Sequence, residues 1–295
     1  MLLDSVRRLL GRHQSPPGTP LPVVPSPAAA IPELSDDDDA VWPSSRISVA
    51  EALWGEGFLF AGGMAETLRL AKPLGLSEAS SLLLIGAGTG GAPRCIAEAF
   101  GVWVSGYEAN PRLVTLANER SQRAGLGRRA QVELWDAAAP QFPRQYFHHA
   151  MVLEALRGAA PEPLVAAVTR ALKPGGQLVL LEAVADRPLE PGDPMVATWT
   201  RLDHRPATLP TELATTEVLR RLGFDVRIAE DVSRREMREA LDGWRLAVQA
   251  MAETRPPPRV VAAVLREAEL WLARFRLMRA GKLRLVRWHA LAPGA

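Results

Sequence analysis

Three glycines at alternate positions, Gly86, Gly88 and Gly90, follow a short apolar run that ends at Ile85. Glycine permits a sharp turn and lets a ligand lie against bare backbone, and the N-terminus of a following helix offers N–H groups to polar ligand atoms. The spacing predicts a crevice for a nucleotide cofactor, in contact with Gly86, Ala87, Gly88 and Gly90. A tight turn without a ligand is the alternative, but three spaced glycines exceed what such a turn needs.

Two carboxylates stand where neighbouring strands are expected to end. Glu108 comes about 20 residues after the glycines, a place where a carboxylate accepts both hydroxyls of a ribose. Asp136 closes a third apolar run and can accept a hydrogen bond from the exocyclic amine of an adenine. An aspartate that caps the next element is an equally weighted alternative. We expect Glu108 and Asp136, with their neighbours Ala109 and Ala137, to contact the cofactor.

Three side chains are candidates for proton transfer. His148, His149 and Glu154 fall in or directly after the fourth apolar run. Consecutive residues of a strand point to opposite faces, so at most one of the two histidines is expected to face the site. A packed or solvent-exposed histidine is the commoner outcome for such residues.

The elements that must position these residues alternate between strand and helix. Apolar runs of strand length predict seven strands, at residues 81–85, 102–107, 130–135, 147–153, 177–184, 223–228 and 283–291. This alternation predicts an α/β fold: a Rossmann-like, doubly wound, mostly parallel seven-stranded sheet with helices on both faces and a C-terminal helical elaboration.

Composition divides the chain near residue 44. Residues 1–44 are rich in proline and carry the acidic run 36–39, so we expect them to be disordered. Residues 45–295 are expected to form one domain, with a helical cap inserted at about 231–281, before the last strand.

The bulk numbers are those of an ordinary globular protein, since 47% hydrophobic and 23% charged residues allow a sizeable core. A net charge of +2 gives no argument for nucleic acid, and no such partner is expected. Cys95, the single cysteine, excludes an intramolecular disulfide and a thiolate zinc cluster, and we expect no metal. The sequence has no visible signal peptide or uncharged membrane-length run, so a cytoplasmic location is expected.

The order of the motifs resembles the class I S-adenosylmethionine-dependent methyltransferases, in particular the methyltransferase type 11 and phosphoethanolamine N-methyltransferase-like enzymes. The resemblance rests on the loop 84–91, Glu108, Asp136, the Leu-Lys-Pro-Gly-Gly stretch 172–176 and the Leu-Gly-Phe sequence 222–224. It implies S-adenosylmethionine as the cofactor and a small molecule as the substrate.

Residues 55–63 are similar to the cofactor-covering loop of the same enzymes. The resemblance implies that Phe58, Leu59 and Phe60 fold over the bound cofactor. Leu59 and Phe60 are expected to contact the cofactor, whereas Phe58 and Met151 are expected to form the substrate lid. A structural loop that packs its two aromatic rings into the core is the alternative.

Two motifs depart from the family pattern. Leu84 stands where an acidic residue usually lies near the methionine ammonium group of the cofactor. Met151 and Ala155 align with positions where an acidic residue and a histidine often face the substrate. The departures bear on catalysis more than on the fold.

The leading hypothesis is methyl transfer to an N or O atom of a small-molecule or lipid-like acceptor. A sulfonium methyl group is already activated, so a general base helps but is not obligatory. The second hypothesis is a non-catalytic methyltransferase-like binding or scaffold protein, which the two departures motivate. A nicotinamide-dependent oxidoreductase is the third.

The C-terminal part carries a basic amphipathic stretch. Residues 255–287 contain nine basic residues against Glu267 and Glu269, interleaved with large apolar side chains. The favoured interpretation is a cap helix whose apolar stripe packs on the sheet. Peripheral contact with a membrane or with a lipidic substrate is the alternative.

Overall fold

The computed structural model describes residues 41–254 and 256–294. Residues 1–40 of the segment predicted to be disordered lie outside the described residues. Residues 41–44 belong to the folded part, because Ser44 begins the first described helix and the Trp42 ring packs on Arg46, 4.2 Å from its guanidinium carbon. The predicted boundary at residue 44 is therefore too late.

The described elements follow the predicted alternation. The helices are α1 (Ser44–Trp54), α2 (Gly63–Ala71), α3 (Gly91–Phe100), α4 (Pro111–Arg123), α5 (Pro161–Ala171), α6 (Pro194–Leu202), α7 (Glu212–Arg221), α8 (Ser233–Thr254) and α9 (Pro258–Arg279). The strands are β1 (Ser81–Ile85), β2 (Trp103–Glu108), β3 (Ala130–Leu134), β4 (Phe147–Leu153), β5 (Leu172–Val184), β6 (Asp225–Asp231) and β7 (Arg284–Leu291). All seven predicted strands are present; β5 begins earlier than predicted, at Leu172.

The strands form one sheet in the order β3-β2-β1-β4-β5-β7-β6. Strands β1 to β5 run parallel, and β7 runs antiparallel to both β5 and β6. The predicted Rossmann-like, mostly parallel seven-stranded sheet is confirmed. The chain moves outwards from β1 to β3 and returns on the other side of β1 with β4. A crevice therefore opens at the carboxyl ends of β1 and β4, where ligands bind in sheets of this type.

Strand β1 is buried on both faces, as its continuous apolar sequence predicts. Leu82 and Leu84 pack into a cluster with apolar side chains of α1, α3 and the helices α8 and α9. Leu83 and Ile85 pack on the other face, against α5 and α7. Cys95 on α3 is also buried, and burial raises the pKa of its thiol to about 12, so this thiol stays protonated at neutral pH.

The sequence analysis missed α6, which lies in a proline-rich stretch. The Asp193 side chain caps this helix, accepting a hydrogen bond at 2.8 Å from the backbone N–H two residues further on. Pro194 occupies the first helical position. This Asp-Pro start, followed by apolar residues Val196, Trp199 and Leu202 at helical spacing, is the signal that would have identified the helix.

Helices α8 and α9 form the predicted C-terminal helical elaboration, which we call the cap. Gly243 lets α8 approach α1 closely, since a Cβ at this position would stand 2.8 Å from the carbonyl oxygen of Leu53. On α9, large apolar side chains such as Trp271 and Leu277 are buried, so the stripe considered for lipid contact is packed inside the protein. None of the described helices combines the length and apolar character that a membrane crossing requires.

Glu182 holds the loop that follows β4. It is fully buried on β5, and its carboxylate oxygens accept hydrogen bonds from the N–H groups of Leu156 (3.0 Å) and Ala183 (3.2 Å). The same loop carries Glu154 and Arg157, which have positive φ values of 42° and 47°. Burial raises the pKa of Glu182 to about 7, and the nearby Glu154 carboxylate adds to the shift.

Replacing Glu182 by glutamine should change how stability depends on pH. The folded protein keeps this carboxyl protonated up to about pH 7, whereas the unfolded chain releases the proton near pH 4.5, so Glu182 makes the wild type less stable as pH rises between these values. Glu182→Gln does not titrate. Its free energy of unfolding relative to the wild type should therefore increase from about pH 5 to about pH 8 in urea titrations.

The control for this comparison is Glu98→Gln, at an exposed glutamate of α3. Its free energy of unfolding relative to the wild type should be the same at both pH values. If the difference for Glu182→Gln is also constant, Glu182 is ionised in the folded protein throughout and the expectation is wrong.

Candidate functional site

The glycine loop is fixed to the neighbouring strands through its backbone. The N–H groups of Gly86 and Ala87 both donate to the carbonyl oxygen of Tyr107 on β2, at 2.9 and 3.1 Å. Gly86 has a φ of 83°, and a Cβ at this position would collide with the backbone of Leu153 at the end of β4. Glycine is therefore required where the chain leaves β1 and turns towards α3.

Glu108 ends β2 with its carboxylate held by two backbone N–H groups. Its Oε2 accepts from Gly88 at 2.9 Å, and its Oε1 accepts from Asn110 at 3.1 Å. Burial raises the pKa of this carboxyl, and the backbone hydrogen bonds oppose the shift. Each oxygen keeps a lone pair beyond these bonds, so the carboxylate can also accept hydrogen bonds from two ribose hydroxyls.

A cavity of about 380 Å³ opens at the carboxyl ends of β1 and β4, beneath the cap. Its volume lies within the range of about 300–1,000 Å³ that is typical of small-molecule sites. Most of the residues predicted to contact a cofactor line this cavity: Gly86, Ala87, Gly88, Glu108, Ala109, Leu59 and Phe60. The structure thus brings together segments that precede, form and follow the glycine loop.

The loop between α1 and α2 covers the glycine loop. The carbonyl oxygen of Gly57 accepts a hydrogen bond from the N–H of Gly91 at 2.9 Å, so this covering loop, and not a ligand, satisfies the first N–H of α3. Leu59 lies against Gly88, where an added Cβ would stand 3.4 Å from Leu59 Cδ1. Leu59 and Phe60 therefore lie on the cavity side of the covering loop, above the bare backbone.

Two residues predicted to form a substrate lid are buried instead. Phe58 is 4% exposed and packs edge-on against Phe60, with ring centroids 6.2 Å apart. Met151 is fully buried in the middle of β4, paired with Leu84 of β1. Neither residue lines the cavity, so the predicted lid role is wrong for both: Phe58 belongs to the core beneath the loop and Met151 to the strand interior.

Three residues predicted to contact the cofactor, Gly90, Asp136 and Ala137, do not line the cavity. Asp136 Oδ1 accepts a hydrogen bond at 2.8 Å from the backbone N–H of Ala138 in a local turn, and the next described element begins only at Phe147, so Asp136 caps no helix. Trp135, one residue earlier, lines the cavity instead. Gly90 is the N-cap of α3, and a Cβ there would stand 2.9 Å from the Cβ of Ala117, so this glycine serves packing.

Both histidines lie at the end of the sheet that is remote from the cavity. They begin β4, whereas the cavity opens where β4 ends. His148 Nδ1 accepts a hydrogen bond from Ser81 N–H at 3.0 Å, and its Nε2 lies 2.9 Å from Lys173 Nζ. Burial lowers the pKa of His149 to about 4. The prediction of a histidine base is wrong; of the three candidates, Glu154 is the one that lines the cavity.

Glu154 belongs to a buried ion-pair network with the cap. Arg274 on α9 donates to the two oxygens of Glu154 at 3.1 and 3.0 Å, and to the two oxygens of Glu236 on α8 at 2.7 and 3.2 Å. Burial raises the pKa of Glu236 to about 7, although Arg274 opposes the shift. All three side chains line the cavity, so the cap adds charged groups to the site.

A second set of ion pairs surrounds Asp203, directly after α6. Asp203 accepts hydrogen bonds from Arg46 at 2.8 Å and from Arg205 at 2.5 Å, and Arg46 also pairs with Glu267 of α9 at 3.2 Å. Burial would raise the pKa of Asp203, but Arg205, Arg46 and Arg157 outweigh it and hold the pKa well below its ordinary value. These pairs join α1, α6 and α9 along one wall of the cavity.

The sequence analysis missed every member of these two sets except Glu154. The partners are distant in sequence: Arg46 and Glu267, for example, are 221 residues apart. No local spacing marks such pairs, because they meet only when the cap docks on the sheet. In this region, the start of α6 before Asp203 is the one feature that could have been recognised from the sequence.

The substitution Gly91→Ala tests the packing of the covering loop on the glycine loop. Gly91 lies in α3, so alanine suits its backbone, but the added Cβ would stand 2.6 Å from the carbonyl oxygen of Gly57. We expect the free energy of unfolding, measured in urea, to fall by about 1–3 kcal/mol. Gly192→Ala is the matched control, since its Cβ would meet no atom within 4 Å. Equal stability of the two variants would show that this contact is loose.

Similarity to known proteins agrees with the fold and the glycine loop. A family model described as a methyltransferase domain matches residues 82–176. Phosphoethanolamine N-methyltransferase 1 of Arabidopsis thaliana is 27% identical over 195 residues, which are 66% of this chain and 38% of that protein. The 27-O-demethylrifamycin SV methyltransferase of Amycolatopsis mediterranei (strain S699) is 32% identical over 179 residues, 57% of this chain and 62% of that protein. The chain therefore spans well under half the length of the first of these relatives.

Solved structures share the same fold at low sequence identity. Phosphoethanolamine N-methyltransferase 2 of Haemonchus contortus, in complex with phosphomonomethylethanolamine and S-adenosylhomocysteine, aligns with a TM-score of 0.73 at 20% identity, over 84% of this chain and 57% of that chain. The [4+2]-cyclase SpnF aligns with a TM-score of 0.64 at 22% identity, over 85% of this chain and 93% of that chain. With the matched domain and the glycine loop, these findings confirm the resemblance of this chain to the class I S-adenosylmethionine-dependent methyltransferases.

Proposed function

We propose that this chain is an S-adenosylmethionine-dependent methyltransferase that acts on an N or O atom of a small-molecule acceptor. The observation that carries the proposal is the Glu108 carboxylate, which accepts the Gly88 N–H at 2.9 Å on the cavity wall. A carboxylate at this strand end, beside a glycine loop, suits the two hydroxyls of a ribose.

The residues around the cavity fit the parts of the cofactor. Glu108 would hold the ribose, Leu59 and Phe60 would cover the bound molecule, and Trp135 at the end of β3 offers an apolar side chain to the adenine. Gly88 carries no side chain into the cavity that it lines, and Leu59 lies against it. When bound, S-adenosylmethionine supplies a methyl group that its sulfonium already activates.

The chain itself must position the acceptor, exclude water and take up a proton where the acceptor carries one. The cap covers the cavity and limits the access of solvent. Glu236 lines the cavity next to Glu154, and burial raises the pKa of its carboxyl to about 7, although Arg274 opposes the shift. Arg274 contacts both carboxylates and keeps them in place.

The non-catalytic alternative rests on Leu84. This side chain is fully buried in β1, so it offers no carboxylate to the methionine ammonium group. The open cavity beside Gly86 and Glu108 argues for ligand binding over a purely structural role. One structural neighbour is described as a [4+2]-cyclase, so the fold does not by itself specify methyl transfer.

We propose only the chemical class of the methyl acceptor, a small molecule. The relatives are named for phosphoethanolamine and for a rifamycin, and this chain matches part of their lengths. Ala155 lines the cavity at the position where the resemblance expects a histidine, which argues against phosphoethanolamine itself. The cytoplasmic location and the peripheral lipid contact inferred from the sequence stay predictions.

Binding of S-adenosylhomocysteine, measured by calorimetry, tests the proposal at Glu108. In Glu108→Gln an amide NH₂ must face one of the two backbone N–H donors, and one ribose hydroxyl loses its charged acceptor. We expect the affinity to fall about 10–100-fold, as for the loss of a hydrogen bond to a charged group. The control Glu98→Gln changes an exposed glutamate on α3 in the same way and should bind like the wild type.

The same titrations distinguish the candidate cofactors and the two leading hypotheses for the function. A wild-type protein that binds neither S-adenosylmethionine nor S-adenosylhomocysteine would remove the methyltransferase proposal. Binding of reduced nicotinamide dinucleotide in place of both would support the oxidoreductase. Binding of S-adenosylmethionine without methyl transfer to any compound of an acceptor library would leave the scaffold as the better description.

A further inference from the structure

One wall of the cavity is not explained by cofactor binding. The sheet order places Glu108 at the end of β2, on one side of β1, and the loop after β4 on the other. A ligand whose ribose is held by Glu108 therefore extends across β1 towards β4. Arg157, from the loop after β4, and Trp199 and Arg205, from the region of α6, line the cavity on that far side. We refer to these three residues as the donor wall.

The donor wall contains polar atoms that have no partner. Arg205 Nη1 and Trp199 Nε1 are both buried and form no hydrogen bond within the part of the chain that the structure describes. The side chain of Arg205 is 3% exposed, and Trp199 is fully buried. The Arg205 guanidinium carbon lies 4.9 Å from the centre of the Trp199 ring, so the two donors belong to one patch. A buried donor without a partner is costly, so a ligand oxygen that accepted a hydrogen bond from either atom would remove part of this cost.

Arg157 adds a positive charge that forms no close ion pair. Its Nη2 donates to the backbone carbonyl of Asp203, and no carboxylate lies within ion-pair distance of it among residues 41–254 and 256–294. The Asp203 carboxylate is instead engaged by Arg46 and Arg205. Burial lowers the pKa of Arg157, although the Asp203 and Glu154 carboxylates oppose the shift.

Beside its charged groups, the cavity has an apolar surface next to the donor wall. Large hydrophobic side chains contribute to it from α9, the strand β7 and the segment before α1, namely Leu270, Trp271, Leu285 and Trp42. Such a surface favours a ligand with a hydrophobic or aromatic body. The unpartnered polar atoms of the donor wall, Trp199 Nε1 and Arg205 Nη1, are both donors.

We propose that the donor wall binds the carboxylate of a largely apolar acceptor, a proposal that rests on the methyltransferase function proposed for the same cavity. A guanidinium and a carboxylate match in charge and in the geometry of paired hydrogen bonds. An ammonium group would find no unpartnered acceptor in the donor wall, because Asp203 and Glu154 are already paired with arginines. A phosphate dianion would bring a second negative charge close to Asp203 and Glu154, which already occupy this side of the cavity. The acceptor class is therefore an apolar monocarboxylate.

The test compares three probes on the full chain: 1-naphthoate, 1-naphthylmethylamine and phosphoethanolamine. Each is titrated by calorimetry into the wild type and its variants, with and without saturating S-adenosylhomocysteine. We expect 1-naphthoate to bind and the other two to bind at least about tenfold more weakly, the difference of one charged contact. Binding of none of the probes, or tighter binding of the amine or the phosphate, overturns the proposal.

Variants of the donor wall locate the binding. Arg157→Met should weaken 1-naphthoate about tenfold or more, and Trp199→Phe, which removes the indole donor, should weaken it about two- to tenfold. Arg157→Lys, which keeps the charge, should recover part of the loss. Arg276→Met, at an exposed arginine of α9, is the matched control and should bind like the wild type. Thermal unfolding checks that each variant is folded, and Arg157→Met carries the test if Trp199→Phe is not.

The affinity for S-adenosylhomocysteine separates this proposal from the one on which it rests. Arg157→Met should leave that affinity unchanged, because Arg157 is assigned to the acceptor. An equal loss of S-adenosylhomocysteine and 1-naphthoate binding would instead assign Arg157 to the carboxylate of the cofactor and overturn the inference. If the wild type binds S-adenosylhomocysteine but does not prefer 1-naphthoate to the other two probes, the proposal for the donor wall is wrong and the methyltransferase proposal stands.

Discussion

A single buried guanidinium connects the cap to the sheet. Arg274 lies on α9 and is 6% exposed. Its guanidinium donates hydrogen bonds both to Glu154 after β4 and to Glu236 on α8. Removing three charges from water costs several kcal/mol for each ion unless each finds close partners, and here every carboxylate oxygen receives an N–H donor. The roof of the cavity depends on this contact, because it fixes both cap helices relative to the strand that ends below them.

Networks of this kind determine geometry more than they add stability. Replacement of a buried ion pair by apolar residues of similar volume is often neutral, whereas removal of one partner costs about 3–5 kcal/mol, since a buried charge is left alone. Glu154 has a positive φ of 42°, a conformation that most side chains avoid, and its contacts with Arg274 and with Arg205 (3.8 Å) help to hold it there. The network therefore fixes the positions of the charged groups around the cavity when the cap is docked.

The sequence predicted the part of the site that is local in the chain. Gly88 and Glu108 are joined by one hydrogen bond across two adjacent strands, and the strand–helix alternation predicts that neighbourhood. The other side was not predictable, because Arg274 approaches Glu154 only through the docked cap and Arg157 meets the carbonyl of Asp203, 46 residues further along the chain. The histidines are a different error: in a parallel sheet the first residues of β4 lie at the amino edge, so their position already argued against His148 and His149. Phe58 was misplaced because an aromatic residue in a loop gives no sign of whether it faces a ligand or the core.

The two sides of the cavity differ in the kind of interaction that builds them. On the cofactor side the decisive contacts are made by backbone: Gly88 donates to Glu108, Gly91 to Gly57, and the loop after β1 to Tyr107. Substitutions elsewhere leave such contacts unchanged, so this side follows from the fold. On the acceptor side the contacts are made by side chains, and the ligand chemistry can change with two or three residues while the sheet stays the same. Because Leu84 contributes no charge from β1, the polar recognition of whatever lies beyond the ribose falls to the residues that follow β4 and to the cap.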